Sequence, residues 1–294
     1  MDGDRRPLHP APVVGSGEPA PPRLGGTEGG ATVGAEMSFH WEMLSDARRN
    51  EAYRAGIAGL VPGKVVYDLG AGVGPMSLYA VQAGARRVYG IETDRDAYQY
   101  LRRLARRFPQ FVPMRTDAVR GPLPEEAPEI VVCEMWSSWL TDWPMVPVLN
   151  RIRRSAPRCA VIPARAHHVL QLAYADHRAG AALDFTPGDY AAIFGDPGAV
   201  EELSLPVLAA TTDFQAAVGP LDTTVSLVPL STGTVNSLRL WSYEEVRDGH
   251  PSPRVGTRSD VLIRWIRPLR VRRGRRVRVR IRHGWDARLR LTVL

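Results

Sequence analysis

From residue 64 onward, short apolar runs alternate with amphipathic stretches. The segments KVVYDLG, RRVYGIET, FVPMRT and EIVVCE carry compact apolar cores of strand length. Between them, PMSLYAVQAG and RDAYQYLRRLARRF show the spacing of helices. Strands joined by helices in this way predict a parallel sheet covered on both faces, with ligands held beyond the carboxyl ends of the strands. Upstream, MSFHWEMLSDARRNEAYRAGIAGL places Met43, Leu44, Ala47, Tyr53, Ile57 and Leu60 at helical intervals, so a helical segment leads into the first strand. After VLNRIRRSAPRCAVIPARA the rhythm changes. HHVLQLAYA, TTVSLVPL, SLRLWSY, DVLIRWI and RRVRVRIRH alternate apolar and polar positions, with Gly, Pro, Asp and Ser between them, which predicts a second, all-β domain starting near Pro163. Residues 1–36 are rich in Pro and Gly and carry no period, the composition of a disordered leader. The expected organisation is therefore α/β, with a Rossmann-like domain over 37–162 and a β-domain over 163–294.

The 294 residues suffice for two cores, and 44% hydrophobic content agrees with a globular chain. No run of about 18 apolar residues is present to span a bilayer, and the first residues lack the apolar centre of a secretory signal, so no membrane partner and a cytoplasmic location are expected. Cys133 and Cys159 are the two cysteines; they lack metal-ligand spacing and read as core residues. The formal net charge is +7, and Lys64 is the single lysine, so the excess is almost all arginine. Much of it sits in RPLRVRRGRRVRVRIRHGWDARLRL, where arginines alternate with Val271, Val277, Val279 and Ile281. That is the pattern of a half-buried hairpin with one face in water. Aromatic residues for base stacking are nearly absent from it, so nucleic acid is not the expected partner.

In DLGAGVG the glycines Gly70, Gly72 and Gly74 follow a strand and precede a helix. A dinucleotide fingerprint needs its third glycine at 75, where this chain has Pro75, which argues against NAD. A bare glycine cluster reads equally well as an ordinary tight turn. Three acidic residues at successive strand ends, Asp68, Glu92 and Asp117, tip the balance toward an adenosine ligand with a charged amino-acid tail, S-adenosyl-L-methionine. Glu92 stands about 20 residues after the turn, where a carboxylate can accept the ribose hydroxyls, and Asp117 can accept the adenine amino group.

On these residues the chain resembles the protein arginine methyltransferases. VVYDLGAGVGPMSLYAVQAGARRVYGIET is similar to that family's cofactor-binding half, HWEMLSDARRNEAY to its preceding helix, and IVVCEMWSSWL to the loop that carries its paired glutamates. The resemblance implies a class I methyltransferase domain followed by a β-barrel-like domain, often paired as a homodimer. It also implies that Arg49 clamps the cofactor carboxylate, Met43 packs near the sulfonium, Glu92 holds the ribose, and Glu134 is the first catalytic carboxylate. Nine residues on, where the family's second glutamate falls, this chain has Trp143, with Asp142 one position earlier as the candidate substitute. The family's Thr-His-Trp loop has no histidine counterpart in VGTRSDVLIRW, and segment 180–205, in the place of its dimerisation arm, is short.

Two carboxylates flanking a guanidinium draw its charge to one side and leave one nitrogen more nucleophilic, which explains a paired-acid loop. Trp136, Trp139 and Trp143 either wall a cationic acceptor or pack between sheet and barrel. His40 reads as a cap or packing residue more readily than a proton relay, and of His167 and His168 at most one faces inward. The expected acceptor is a guanidino or amino nitrogen of a small molecule such as L-arginine or an antibiotic precursor. Protein arginine, and a carbon or oxygen of an acidic metabolite, are the alternatives.

Overall fold

The computed structural model describes residues 40–41, 43–141, 144–175, 183–186, 190–193, 200–247, 250–251, 261–285 and 289–294. The expected leader, Asp142 and Trp143 lie outside the described residues, as do 180–182, 187–189 and 194–199 of segment 180–205.

Five strands form the first sheet: β1 (Val65–Leu69), β2 (Arg87–Glu92), β3 (Phe111–Arg115), β4 (Ile130–Cys133) and β5 (Ala160–Ile162), in the order β3-β2-β1-β4-β5. Every pairing in it is parallel. All of β1 and β4 is buried, as continuous apolar runs require of strands covered on both faces. Side chains alternate between those faces. Val65, Tyr67 and Leu69 pack with Met145, Val148, Leu149 and Ile152 of helix α4 (Met145–Ser155). Val66 packs with Tyr53 and Ile57 of α1 (Ala47–Ala58), Met76 and Ala80 of α2 (Pro75–Gln82) and Leu101 of α3 (Arg95–Ala105). Register places Leu69 beside both Ile91 and Cys133, and Glu92 beside Arg115, so four strand ends open on one edge.

The single helical segment expected over 37–60 is interrupted. Asp46 leaves helical geometry at φ −77° and ψ 87°, and its carboxylate accepts the Arg49 N–H at 2.9 Å, which caps a fresh helix, α1. The glycine turn follows β1. Gly70, Gly72 and Gly74 have φ of 68°, 54° and 92°, left-handed values that side chains resist, and Pro75 then opens α2 where its missing N–H costs nothing.

Beyond β5 the pairing becomes antiparallel. Strand β6 (Arg165–Ala175) pairs with the fifteen-residue β12 (Gly233–Arg247), and β12 with β14 (Leu262–Val271), at the centre of an eight-stranded sheet. The same sheet takes in β7 (Leu183–Thr186), β8 (Tyr190–Ile193), β9 (Val200–Glu202), β10 (Val207–Asp213) and β13 (His250–Pro251). A three-stranded sheet of β11 (Leu221–Leu227), β15 (Val277–His283) and β16 (Leu289–Val293) closes over it. Leu170, Leu172, Leu238, Leu240, Val279 and Ile281 form the core between the two, a β-barrel-like arrangement. Among the described residues no helix is long and apolar enough to cross a membrane.

Helix α1 joins the two halves. A Cβ at Gly56 would come within 2.6 Å of Val246 Cγ1 of β12, so the helix lies against the barrel only because residue 56 lacks a side chain. Gly56→Val therefore overpacks this contact, with an expected loss of about 1–3 kcal/mol. Urea denaturation measures it, and an unchanged midpoint would show that the helix is not seated there.

Candidate active site

The opened edge is organised by the glycine turn and Glu92. Glu92 Oε2 accepts the Gly72 N–H at 2.7 Å, and Oε1 accepts the N–H groups of Thr93 and Asp94 at 2.6 and 2.8 Å. The carboxylate thus ties the first turn to the loop after β2. Gly70 and Gly72 lie so close to neighbouring side chains that a Cβ would stand 2.6 Å from Met135 Cγ and 2.9 Å from His40 Cε1. His40 therefore covers the turn.

Next to it, Glu134 leaves the end of β4 and meets Arg49 of α1 in a two-point contact, Nε to Oε1 at 3.1 Å and Nη2 to Oε2 at 2.5 Å. The Arg49 side chain is 3% exposed and that of Glu134 16%, so the pair keeps a small opening on the acid's side. Arg49 Nη1 donates to Asn50 Oδ1 at 3.1 Å, and the guanidinium carbon lies 5.4 Å from the Tyr53 ring centroid. Tyr53 in turn donates its hydroxyl to Glu244 Oε2 of β12 at 2.8 Å. A buried chain of groups thus runs from the strand end, through α1, into the barrel. Burial works against the charge of Arg49, but Glu134, Tyr53 and Glu244 together outweigh it and the guanidinium pKa rises. Burial lifts the Glu134 carboxyl above the ordinary range, with Arg49 pulling it back. Burial and the carboxylate of Glu244 keep the Tyr53 phenol protonated.

The expected site residues also have partners within the protein. Arg49 and Glu134, assigned by resemblance to cofactor and acceptor respectively, are bound to each other. Asp68 does not face outward: it is buried and accepts the Ser77 Oγ–H at 2.6 Å, so it secures α2 to the end of β1. Burial raises its pKa from 3.8 to about 7, the Ser77 bonds opposing the rise. Asp117 is exposed after β3 and accepts the Val119 N–H at 2.7 Å within its own loop. Met43 is half-buried just before α1, its carbonyl taken by Asn50 Nδ2 at 3.1 Å.

Of the three tryptophans, Trp139 is a core residue and not an acceptor wall. It is fully buried, with Nε1 bonded to Val169 O at 3.1 Å, its N–H to Ser242 Oγ at 2.9 Å and its carbonyl to His283 Nε2 at 2.9 Å. Its φ of 57° turns the loop inward. Trp136 is half-buried against the α4 face of the sheet. Of the adjacent histidines it is His168 that points inward, bonded to Ser242 Oγ and Thr212 Oγ1 at 2.8 and 2.9 Å. Cys133 and Cys159 are buried, and burial pushes both thiols up, as expected of core residues. Sequence reasoning missed Tyr53 and Glu244. Tyr53 was read only as an apolar helix position, and the one signal for Glu244 was an acid at an inward-facing place of an alternating strand.

The fold is thus a Rossmann-like parallel sheet followed by a β-barrel-like domain, with a carboxylate and a glycine turn at the strand ends. A solved structure of the Trypanosoma brucei PRMT1 enzyme-prozyme heterotetrameric complex with AdoHcy is similar at a TM-score of 0.70 and 18% identity, over 87% of this chain and 92% of that one. No family model matches the chain. Among curated proteins, protein arginine N-methyltransferase 6 of Danio rerio is 44% identical over 68 residues, 22% of this chain and 20% of that protein. A probable histone-arginine methyltransferase 1.3 of Arabidopsis thaliana is 33% identical over 147 residues, 44% of this chain and 27% of that protein. The chain spans less than a third of the length of each of these curated relatives.

Two outcomes follow for stability. Asp68, raised from 3.8 to about 7, contributes stability that is complete below its unfolded value and lost as pH rises through 7. His168 is lowered from 6.5 to about 3 by burial and by the neighbouring histidines, so its contribution is complete above 6.5 and lost as pH falls through 3. The slopes oppose each other in one window. Melting temperatures of Asp68→Asn should gain on the parent as pH rises from about 4 to 7, and those of His168→Gln should gain as pH falls from about 6.5 to 3; parallel curves for parent and variants would refute this. Separately, Tyr53→Phe removes the bond to Glu244 and should cost about 1–3 kcal/mol by denaturant unfolding. A smaller loss would mean the contact adds little.

Proposed function

We propose that this protein is an S-adenosylmethionine-dependent methyltransferase whose acceptor atom is a guanidino nitrogen of arginine. The observation that carries this reading is the slightly exposed Glu134 carboxylate at the end of β4, paired with Arg49 beside the glycine turn.

The residues at the strand ends fit the cofactor. At Gly70 and Gly72 a Cβ would collide with Met135 and His40, so the tight turn needs glycine; Glu92 would take ribose hydroxyls, and the exposed Asp117 would accept the adenine amino group. Met43 and Arg49 stand on the α1 side of the same edge. When bound, the cofactor supplies a carbon already activated by its sulfonium, so the protein's task is mainly to place a nucleophile. A carboxylate offers about four lone-pair positions, of which Arg49 uses two. The others can accept N–H groups of an acceptor guanidinium and draw its charge to one side. Asp142 is the proposed second carboxylate, with Trp136 and Trp143 as walls; Trp139 is excluded because it serves the core.

The names of the relatives favour arginine carried on a polypeptide. Free arginine or another small guanidino or amino compound is the second reading, favoured by Trp143 standing where the family has its second glutamate. Pairing of two copies through segment 180–205 belongs to the same proposal.

The test is mass spectrometry of an arginine-containing peptide and of free L-arginine after incubation with protein and cofactor. A gain of one methyl group is expected on at least one, and Glu134→Gln should reduce turnover by about 100-fold or more. S-adenosylhomocysteine titration separates lost binding from lost turnover. Bound cofactor with no methylated guanidine, or a Glu134→Gln variant with most activity left, would overturn the guanidino reading and point to methylation at carbon or oxygen.

A further inference from the structure

The outward face of the β11-β15-β16 sheet has no role in the reading above. Along β15 the pattern is strictly alternate: Val277, Val279, Ile281 and His283 are buried, while Arg278, Arg280 and Arg282 are exposed. These arginines stand about 6.8 Å apart, two strand residues each. On β16 the exposed Arg290 is directly opposite Arg282, and the loop from β14 to β15 adds the exposed sequence RRGRR. Like charges directly opposed across strands are destabilising, so this face is costly to the fold.

Asp222 of β11 is the one acid on that face among the described residues. It is opposite Arg282 in register, but its carboxylate is gripped by Arg280, Nε to Oδ1 at 2.9 Å and Nη2 to Oδ2 at 2.7 Å. The other exposed positions of β11 and β16 include Thr224, Ser226 and Thr292 and no aromatic residue. Asp222 thus displays, within the chain, what an arginine of this sheet does with a carboxylate: it binds it at two points.

We propose that this face docks an extended acidic segment of another polypeptide, with carboxylates at alternate residues meeting Arg278, Arg282 and Arg290. A strand's alternate side chains repeat at about 6.8 Å, so in an extended segment every second one of them falls on Arg278 and Arg282, which stand about 13.6 Å apart on either side of the occupied Arg280, with Arg290 beside Arg282. Nucleic acid fits less well. Among the described residues of this face no ring is available for stacking on bases, and Asp222 would face phosphates. The docked segment would lie one sheet thickness from the loop after Glu134, because His283 on the inner face of β15 holds the Trp139 carbonyl. The proposal concerns a surface away from the strand-end site and stands whether or not methyl transfer is confirmed.

The experiment is fluorescence anisotropy with the full chain at about 0.15 M ionic strength, where long-range charge effects are screened. The probes are a labelled eight-residue peptide of alternating Glu and Thr, a block peptide of the same composition with its four glutamates contiguous, so that no two on one face are four residues apart, and a DNA duplex. The alternating peptide should bind at least tenfold more tightly than the block peptide. Arg278→Glu with Arg282→Glu should abolish that binding, Arg282→Gln should weaken it, and Asp222→Asn should strengthen it by freeing Arg280. Arg282→Gln serves alone if the charge reversal fails to fold. Equal affinity for both peptides, tighter binding of the duplex, or no binding would overturn the proposal. S-adenosylhomocysteine titration of the same variants should match the parent, which keeps this result apart from the methyl-transfer reading.

Discussion

An ion pair withdrawn from water is the constraint around which this molecule is arranged. Glu134 at a strand end in a buried setting would take up a proton if left alone, because burial raises its carboxyl pKa. Arg49 opposes that, and does so at two points. Removing two charges from water is expensive, and such a pair is tolerable only when the remaining donors and acceptors find partners. Here Asn50 takes one edge of the guanidinium and Tyr53 lies beside its carbon. Strand β4 brings the acid and α1 the base. The cap at Asp46 sets where α1 begins and hence which residue of the helix faces the strand ends.

The acids crowning the sheet divide their labour by direction. Asp68 turns inward and fixes α2; Glu92 reaches across the glycine turn; Asp117 shapes its own loop. Three residues of like chemistry at equivalent strand ends thus act at three depths. The left-handed values at Gly70, Gly72 and Gly74 make this possible, since the chain can reverse tightly enough for one carboxylate to span the turn.

The fold was readable because its signals are local. Apolar runs in β1 and β4, Pro75 at a helix start and the alternation in β15 each point to one local structure at short range. The site was readable only in part. That Asp68 is buried, that Trp139 belongs to the barrel core, and that Arg49 answers Glu134 all depend on contacts between residues far apart in the chain. The break at Asp46 was a local signal that was missed: an acid three residues before its N–H partner is a helix start, even inside a continuous helical period. Glu244 gave no local sign of its partner, because an acid in an alternating strand ordinarily faces solvent.

The reach of the Tyr53–Glu244 bond bears on the order in which the protein assembles. Its two ends are 191 residues apart in sequence. Contacts of such separation close late, since a long loop must be ordered before they repay it. During synthesis the parallel sheet can emerge whole, with Arg49 and Glu134 both present, while the strand that steadies them is still unmade. The Tyr53–Glu244 bond that ties α1 to the barrel can form only in a chain translated through β12.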